Sequence, residues 1–159
     1  MRKGIVLPAL LLGLALAAPA SAQMAVKDIS LKAAQELASA TVAECVKQGF
    51  KVDVTVMDRD GRVKVYLRGD GAGPHAASTS RRKAYTALTF RASTEVTIKR
   101  AETNPALKDI SGVILLRGGL PIKAGEAVIG SIGVSGAPGG DKDEACALVG
   151  LKAIEGQLR

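Results

Sequence analysis

The chain has little of what most catalytic and metal sites are made from. Its 159 residues include one histidine, His75, no tryptophan, two tyrosines, two phenylalanines and two cysteines. A single imidazole cannot build the multi-histidine sites that zinc or non-haem iron usually require. Nor does the chain contain G-x-S-x-G or a recognisable triad order, so hydrolase chemistry on the usual templates has no support. C-x-x-C is absent, which excludes a thioredoxin-like dithiol and covalent c-type haem attachment. Aromatics are only 3% of the chain, and the basic residues are scattered apart from Arg81-Arg82-Lys83. A nucleic-acid surface needs a basic stripe and stacking platforms, and this chain offers neither.

Two cysteines remain, Cys45 and Cys146, both within predicted helices. They read either as a disulfide joining the first and last helices or as two buried thiols acting as small apolar groups.

The formal net charge is +7. Arg2 and Lys3 precede an apolar run over residues 5–18, and Pro19-Ala20-Ser21-Ala22 follows it. A basic start, a short apolar stretch and a small-x-small site predict a signal peptide over residues 1–22. The run is too short to span a bilayer comfortably, and no cysteine follows the cleavage site to carry a lipid. A periplasmic or secreted protein with no membrane anchor after cleavage is expected. Residues 23–159 then form a single domain, large enough to bury a core without metal or disulfide.

Within that domain, Ser30 is placed to cap a helix over residues 30–48, whose Leu31, Ala34, Leu37, Ala38, Val42 and Cys45 recur at helical spacing. Val52, Val54 and Val56 alternate with polar residues, and Val63, Val65 and Leu67 alternate on the return. Asp60-Gly61 between them predicts a hairpin with a type I′ turn. Ser93 caps a further helix to about Thr103, ended by Asn104-Pro105. Residues 113–116 read as a buried central strand, Leu120-Pro121-Ile122 as a short strand, and residues 127–135 as another. Gly130 and Gly133 imply close packing against that last strand. About five strands and four helices, in the order α-ββ-αα-βββ-α, predict an α+β domain with an antiparallel sheet under helical cover.

The stretch RGDGAGPHAASTSRRKAYTALTF, residues 68–90, joins a glycine-rich turn, the sole histidine, a basic cluster and a tyrosine. Any ligand is expected here. His75 reads as an iron ligand, of haem or of a free ion, or as a surface histidine at a helix start. Arg81, Arg82 and Lys83 point in three directions around a helix, so at most one or two pair with a ligand carboxylate. Otherwise they form a solvated face. Tyr85 is either a haem neighbour or a core or interface residue. The loop over residues 136–140 invites a phosphate-binding reading, but Asp141, Asp143 and Glu144 follow in the first turn. With Asp141 and Glu144 at capping-box spacing, it reads as structural or as a weak cation site.

VMDRDGRVKVYLRGDGAGPH, SRRKAYTALTF, NPALKDISGV and the run from RGGLPIKAGEAVIGSIGVSGAPGGDKDEA to LVGLKAI occur in that order. This combination resembles the GlcG/HbpS family over nearly the whole domain, and the signal peptide and GDGAGP turn look most like its secreted HbpS type. The resemblance implies a profilin-like α/β/α domain with a five-stranded antiparallel sheet. It also implies non-covalent haem binding, homo-oligomers with octamers among them, and redox or iron sensing through a sensor-protein partner. Lys83, Ala84, Tyr85 and Thr86 fall on motif positions, and Thr86 looks like the place of a haem-associated threonine. The expectation is therefore an exported protein binding haem or a small organic ligand. His75 is the first-choice ligand to haem iron, Arg81 or Lys83 lies near the propionates, and Tyr85 and Thr86 complete the site. The alternatives are an enzyme that degrades haem or acts on a small hydroxy or keto acid, and an oligomeric accessory module of a sensor system.

Overall fold

The computed structural model describes residues 25–158, and the signal-peptide reading of residues 1–22 lies outside them. Helix α1, Leu31–Lys47, begins at Ser30, whose hydroxyl accepts the Ala33 N–H at 3.2 Å. Strands β1, Asp53–Asp58, and β2, Val63–Arg68, make the hairpin. Helices α2, Pro74–Phe90, and α3, Thr94–Thr103, follow; α3 is capped by Ser93 as its sequence predicts. A short 3-10 turn over Pro105–Asp109 leads to β3, Gly119–Ala124, β4, Ala127–Ser135, and α4, Gly140–Ala153.

The sheet is antiparallel, in the order β2-β1-β4-β3, so it has four strands among the described residues and not five. The missing strand is residues 113–116. That segment belongs to no strand, and its backbone bonds to side chains of α2 instead. Arg82 Nη2 donates to Val113 O at 2.6 Å, and the Ile114 N–H donates to Thr86 Oγ1 at 2.9 Å. Helix α2 has taken the place of a strand partner, which an apolar run cannot reveal. The hairpin turn also differs. Gly61 alone has positive φ, 81°, and its N–H closes a turn onto Asp58 O at 3.1 Å, while Asp60 keeps negative φ. A bulge between Val56 and Met57 absorbs the extra residue.

Helices α1 and α4 cover one face of the sheet and α2 the other. The apolar core lies on the first side, where Leu37, Ala38, Val54, Val56, Ile132 and Val134 are fully buried. Cys45 and Cys146 are bonded there, with Cα atoms 5.5 Å apart, tying α1 to α4. On the second side α2 approaches β4 so closely that a Cβ at Gly133 would overlap the Ser80 carbonyl and the Ala84 amide. Ser80 and Thr55 share a buried 2.9 Å hydrogen bond across the same interface.

Candidate functional site

Helix α2 starts with Gly73 at its cap and Pro74 in its first turn, where a missing N–H costs nothing. Its sheet-facing stripe is Ala76, Ser80, Lys83, Ala84 and Ala87, the i, i+4, i+7, i+8, i+11 series. Two flanks remain. His75, Thr79 and Lys83 line one flank, and Ser78, Arg81, Arg82 and Tyr85 line the other. The helix thus separates residues that sit side by side in sequence.

The first flank opens into a cleft of about 550 Å³. Opposite α2 stand Gly136, Pro138 and Gly140 of the glycine loop, and Ile98, Leu115 and Leu116 give it an apolar wall. The loop assigned a structural role is therefore also a wall of the same cleft as His75. Its capping box does not form: α4 is capped by the Gly139 backbone with no side-chain bond, and Asp143 reaches back to accept the Ala137 N–H at 3.0 Å.

The cleft floor is an ion pair. Lys83 is 3% exposed and Asp143 2%. The Lys83 ammonium donates to Asp143 Oδ2 at 2.7 Å and to Val134 O at 2.9 Å. Burial pushes the Asp143 carboxyl above its ordinary range, against the opposing pull of Lys83 and the Ala137 amide. A pair this dry adds little net stability, because desolvation offsets the Coulombic gain. What it does is fix positions, joining α2, the end of β4 and the start of α4. At the rim, Arg117 Nε donates to Glu144 Oε2 at 3.3 Å and its Nη2 lies 3.6 Å from Glu95 Oε2. The bond to Glu144 raises the guanidinium pKa further.

His75 is exposed at the mouth, and among the described residues its ring makes no hydrogen bond. Lys83 is committed to Asp143, and Arg81 lies in the other cleft, so neither stands beside His75 as a free cation. Thr86 lies in neither cleft: it is fully buried, donates to Arg82 O at 2.8 Å and accepts from Ile114. Among the described residues no group of three or more His, Cys, Asp or Glu side chains is arranged to hold a metal ion. No described helix is long and apolar enough to cross a membrane.

Sequence reasoning missed the Lys83–Asp143 pair. The signal was there, because Lys83 occupies a place in the small-residue stripe of α2 that no solvated lysine would take. Leu115 and Leu116 of the apolar wall also left a trace, the apolar run read as a strand.

Comparison with known proteins gives the same picture of fold and kinship. The family model described as haem degrading protein HbpS-like matches residues 29–152. A double-mutant form of HbpS from Streptomyces reticuli is 43% identical, with TM-score 0.80, covering 86% of this chain and 96% of that one. Protein ORFY from Klebsiella pneumoniae is 26% identical with TM-score 0.80, covering 87% and 98%. PduOC, solved as a heme complex, is 21% identical with TM-score 0.73, covering 80% and 95%, a likeness of fold alone. With the model spanning most of its length and HbpS matched almost end to end, this chain belongs to the HbpS-like family.

Proposed function

We propose that the protein binds haem non-covalently in the cleft between α2 and the 136–140 loop. One observation carries this reading: the only imidazole of the chain opens onto a cleft with an apolar wall of Ile98, Leu115 and Leu116. Its volume of about 550 Å³ falls in the range of pockets that bury most of a small ligand. The residues present fit the group in two respects. A histidine without a competing partner serves as an axial ligand, and an apolar wall suits a porphyrin face. The chain's own cations do not supply a propionate clamp inside the cleft, because Lys83 and Arg117 are both paired with carboxylates. In this reading His75 would hold the haem iron, the apolar wall would take the porphyrin, and the Lys83–Asp143 pair would keep the cleft floor in place.

The family's haem-degrading description and the heme complex of the fold-related PduOC support a haem-related ligand. Haemin titration tests it. A saturable Soret shift is expected in the native protein, with an altered band position in His75→Ala. No saturable shift overturns the proposal, while an unchanged band in His75→Ala removes only the ligand assignment. Steady loss of the Soret band under ascorbate would favour the degrading enzyme instead.

Export, a homo-oligomeric state and a sensor-protein partner belong to the same reading. The Cys45–Cys146 bond supports an oxidising compartment. Mass spectrometry of the mature N-terminus and light scattering of the purified protein test the first two, and pull-down with a candidate sensor domain tests the third.

A further inference from the structure

The second flank of α2 carries Ser78, Arg81, Arg82 and Tyr85 into a separate cleft of about 480 Å³, closed on its far side by Ser111 and Gly112. Among the described residues no acidic side chain lines it. Some described cations, Lys64, Lys83 and Arg117 among them, have a carboxylate within 4.0 Å, and many that stand singly on the surface do not. Among the described residues, Arg81 and Arg82 have none. Two adjacent guanidiniums in one groove repel each other, and no carboxylate of the described residues lies within 4.0 Å to offset that.

The groove is also held in shape. Arg82 is anchored through its 2.6 Å bond to Val113 O, which leaves its other N–H groups available. The Tyr85 ring lies between two glycines with left-handed backbone, Gly61 and Gly112. A Cβ at Gly112 would lie 3.0 Å from Tyr85 Cε1, a tight contact, and the Gly112 φ of 81° itself favours glycine. Tyr85 is 37% exposed, and among the described residues its hydroxyl makes no hydrogen bond.

An oriented guanidinium, a second one without a carboxylate partner, the unbonded Tyr85 hydroxyl and the ring that carries it match one ligand chemistry. Guanidinium forks bind planar oxyanions through paired N–H donors, and the cleft is roomier than an inorganic anion needs. We propose that this cleft binds a small organic dianion. Its two oxyanion groups meet Arg81 and Arg82, and its carbon skeleton lies against Tyr85. The site is distinct from the His75 cleft, since the body of α2 stands between them.

Calorimetric titration of the full chain with succinate at low ionic strength tests this, with inorganic phosphate and acetate run in parallel. Saturable succinate binding is expected, at least about tenfold tighter than acetate. Arg81→Glu should weaken it by about tenfold or more, and its exposed position leaves the fold intact, as circular dichroism will confirm. His75→Ala should leave the affinity unchanged. The proposal is overturned if succinate gives no saturable heat, if phosphate binds and succinate does not, or if Arg81→Glu changes the affinity by less than about twofold. Equal loss in His75→Ala would likewise reject a separate site.

Discussion

Beneath α1 and α4 the two central strands present Val54, Val56, Ile132 and Val134. Beneath α2 the same strands present Thr55, Ser131, Gly133 and Ser135, one residue out of phase. The first face is an apolar core with a disulfide across its helices. The second face has small and polar side chains, a glycine where the helix backbone touches the strand, and a buried ion pair at its end. Hydrophobic burial is non-directional and tolerates modest repacking, so on the first face the packing of helices on strands depends less on exact placement, although α4 meets α1 closely at Gly150. Hydrogen bonds, close backbone contact and an ion pair are directional. The second face therefore holds α2 at a defined height and rotation, and both clefts lie along that helix.

Substitutions that attack each face should separate the two roles. The largest effect is expected from Gly133→Val, whose side chain would collide with the backbone of α2. Loss of the cooperative unfolding transition, followed by circular dichroism in urea, is the expected outcome, and a native-like midpoint would refute the close-contact account. Reduction of Cys45–Cys146, or the Cys45→Ser/Cys146→Ser pair, comes next. Opening a cross-link with sequence separation 101 should cost about 4 to 5 kcal/mol, chiefly by freeing the unfolded chain. If the faces are independent, haemin affinity of the still-folded variant stays the same.

Lys83→Met should cost about 3 to 5 kcal/mol, because it leaves Asp143 buried without its partner. Lys83→Met/Asp143→Leu should recover most of that stability while still weakening the ligand cleft. A double variant as unstable as the single one would show the pair to be a source of net stability.

The carboxylates of the two sides should respond to pH with opposite sign. Asp143 is shifted upward by burial, so its contribution is present below the ordinary value of 3.8 and is lost as pH rises through its folded value. For Asp28, near the start of α1, burial alone would raise the pKa. Lys64 at 2.6 Å and the Arg59 and Ile29 amides overcome that and hold it below 3.8. Its contribution is present above that value and is lost as pH falls through the folded one. Urea melts at pH 3 and pH 7 should therefore show the penalty of Asp28→Asn growing with pH and that of Asp143→Asn shrinking. The smallest effect is expected from Thr55→Val with Ser80→Ala: removing both partners of one buried hydrogen bond should shift stability by about 1 kcal/mol or less.

Much of the local structure was legible in the residues. Ser30 and Ser93 mark their helices, Asp60-Gly61 marks the hairpin, and the period of two in β1 gives the buried valines. Gly133 signalled close packing through its lack of a side chain. Residues 113–116 misled twice: four apolar residues in a row predict burial, yet only Val113 is buried and Leu116 is exposed, and the run says nothing of what its amides bond to. The type I′ turn was an over-reading of Asp-Gly, since a bulge met the same need with one positive φ. In the candidate site, His75 and the basic triplet stood out, but their neighbours in space did not.

Period and caps follow from contacts within a few residues, so α1, α3, the hairpin and the two helical flanks of α2 are properties of short stretches of this sequence. The pairing of Lys83 with Asp143 joins residues 60 apart. The meeting of His75 with the 136–140 loop spans a similar distance. The chain can make these contacts only after α2 and α4 have docked on opposite faces of one sheet. Tertiary structure alone decided that residues between His75 and Tyr85 serve two clefts instead of one, because a packed helix turns each side chain about 100° from the last and its own body then separates neighbours in sequence.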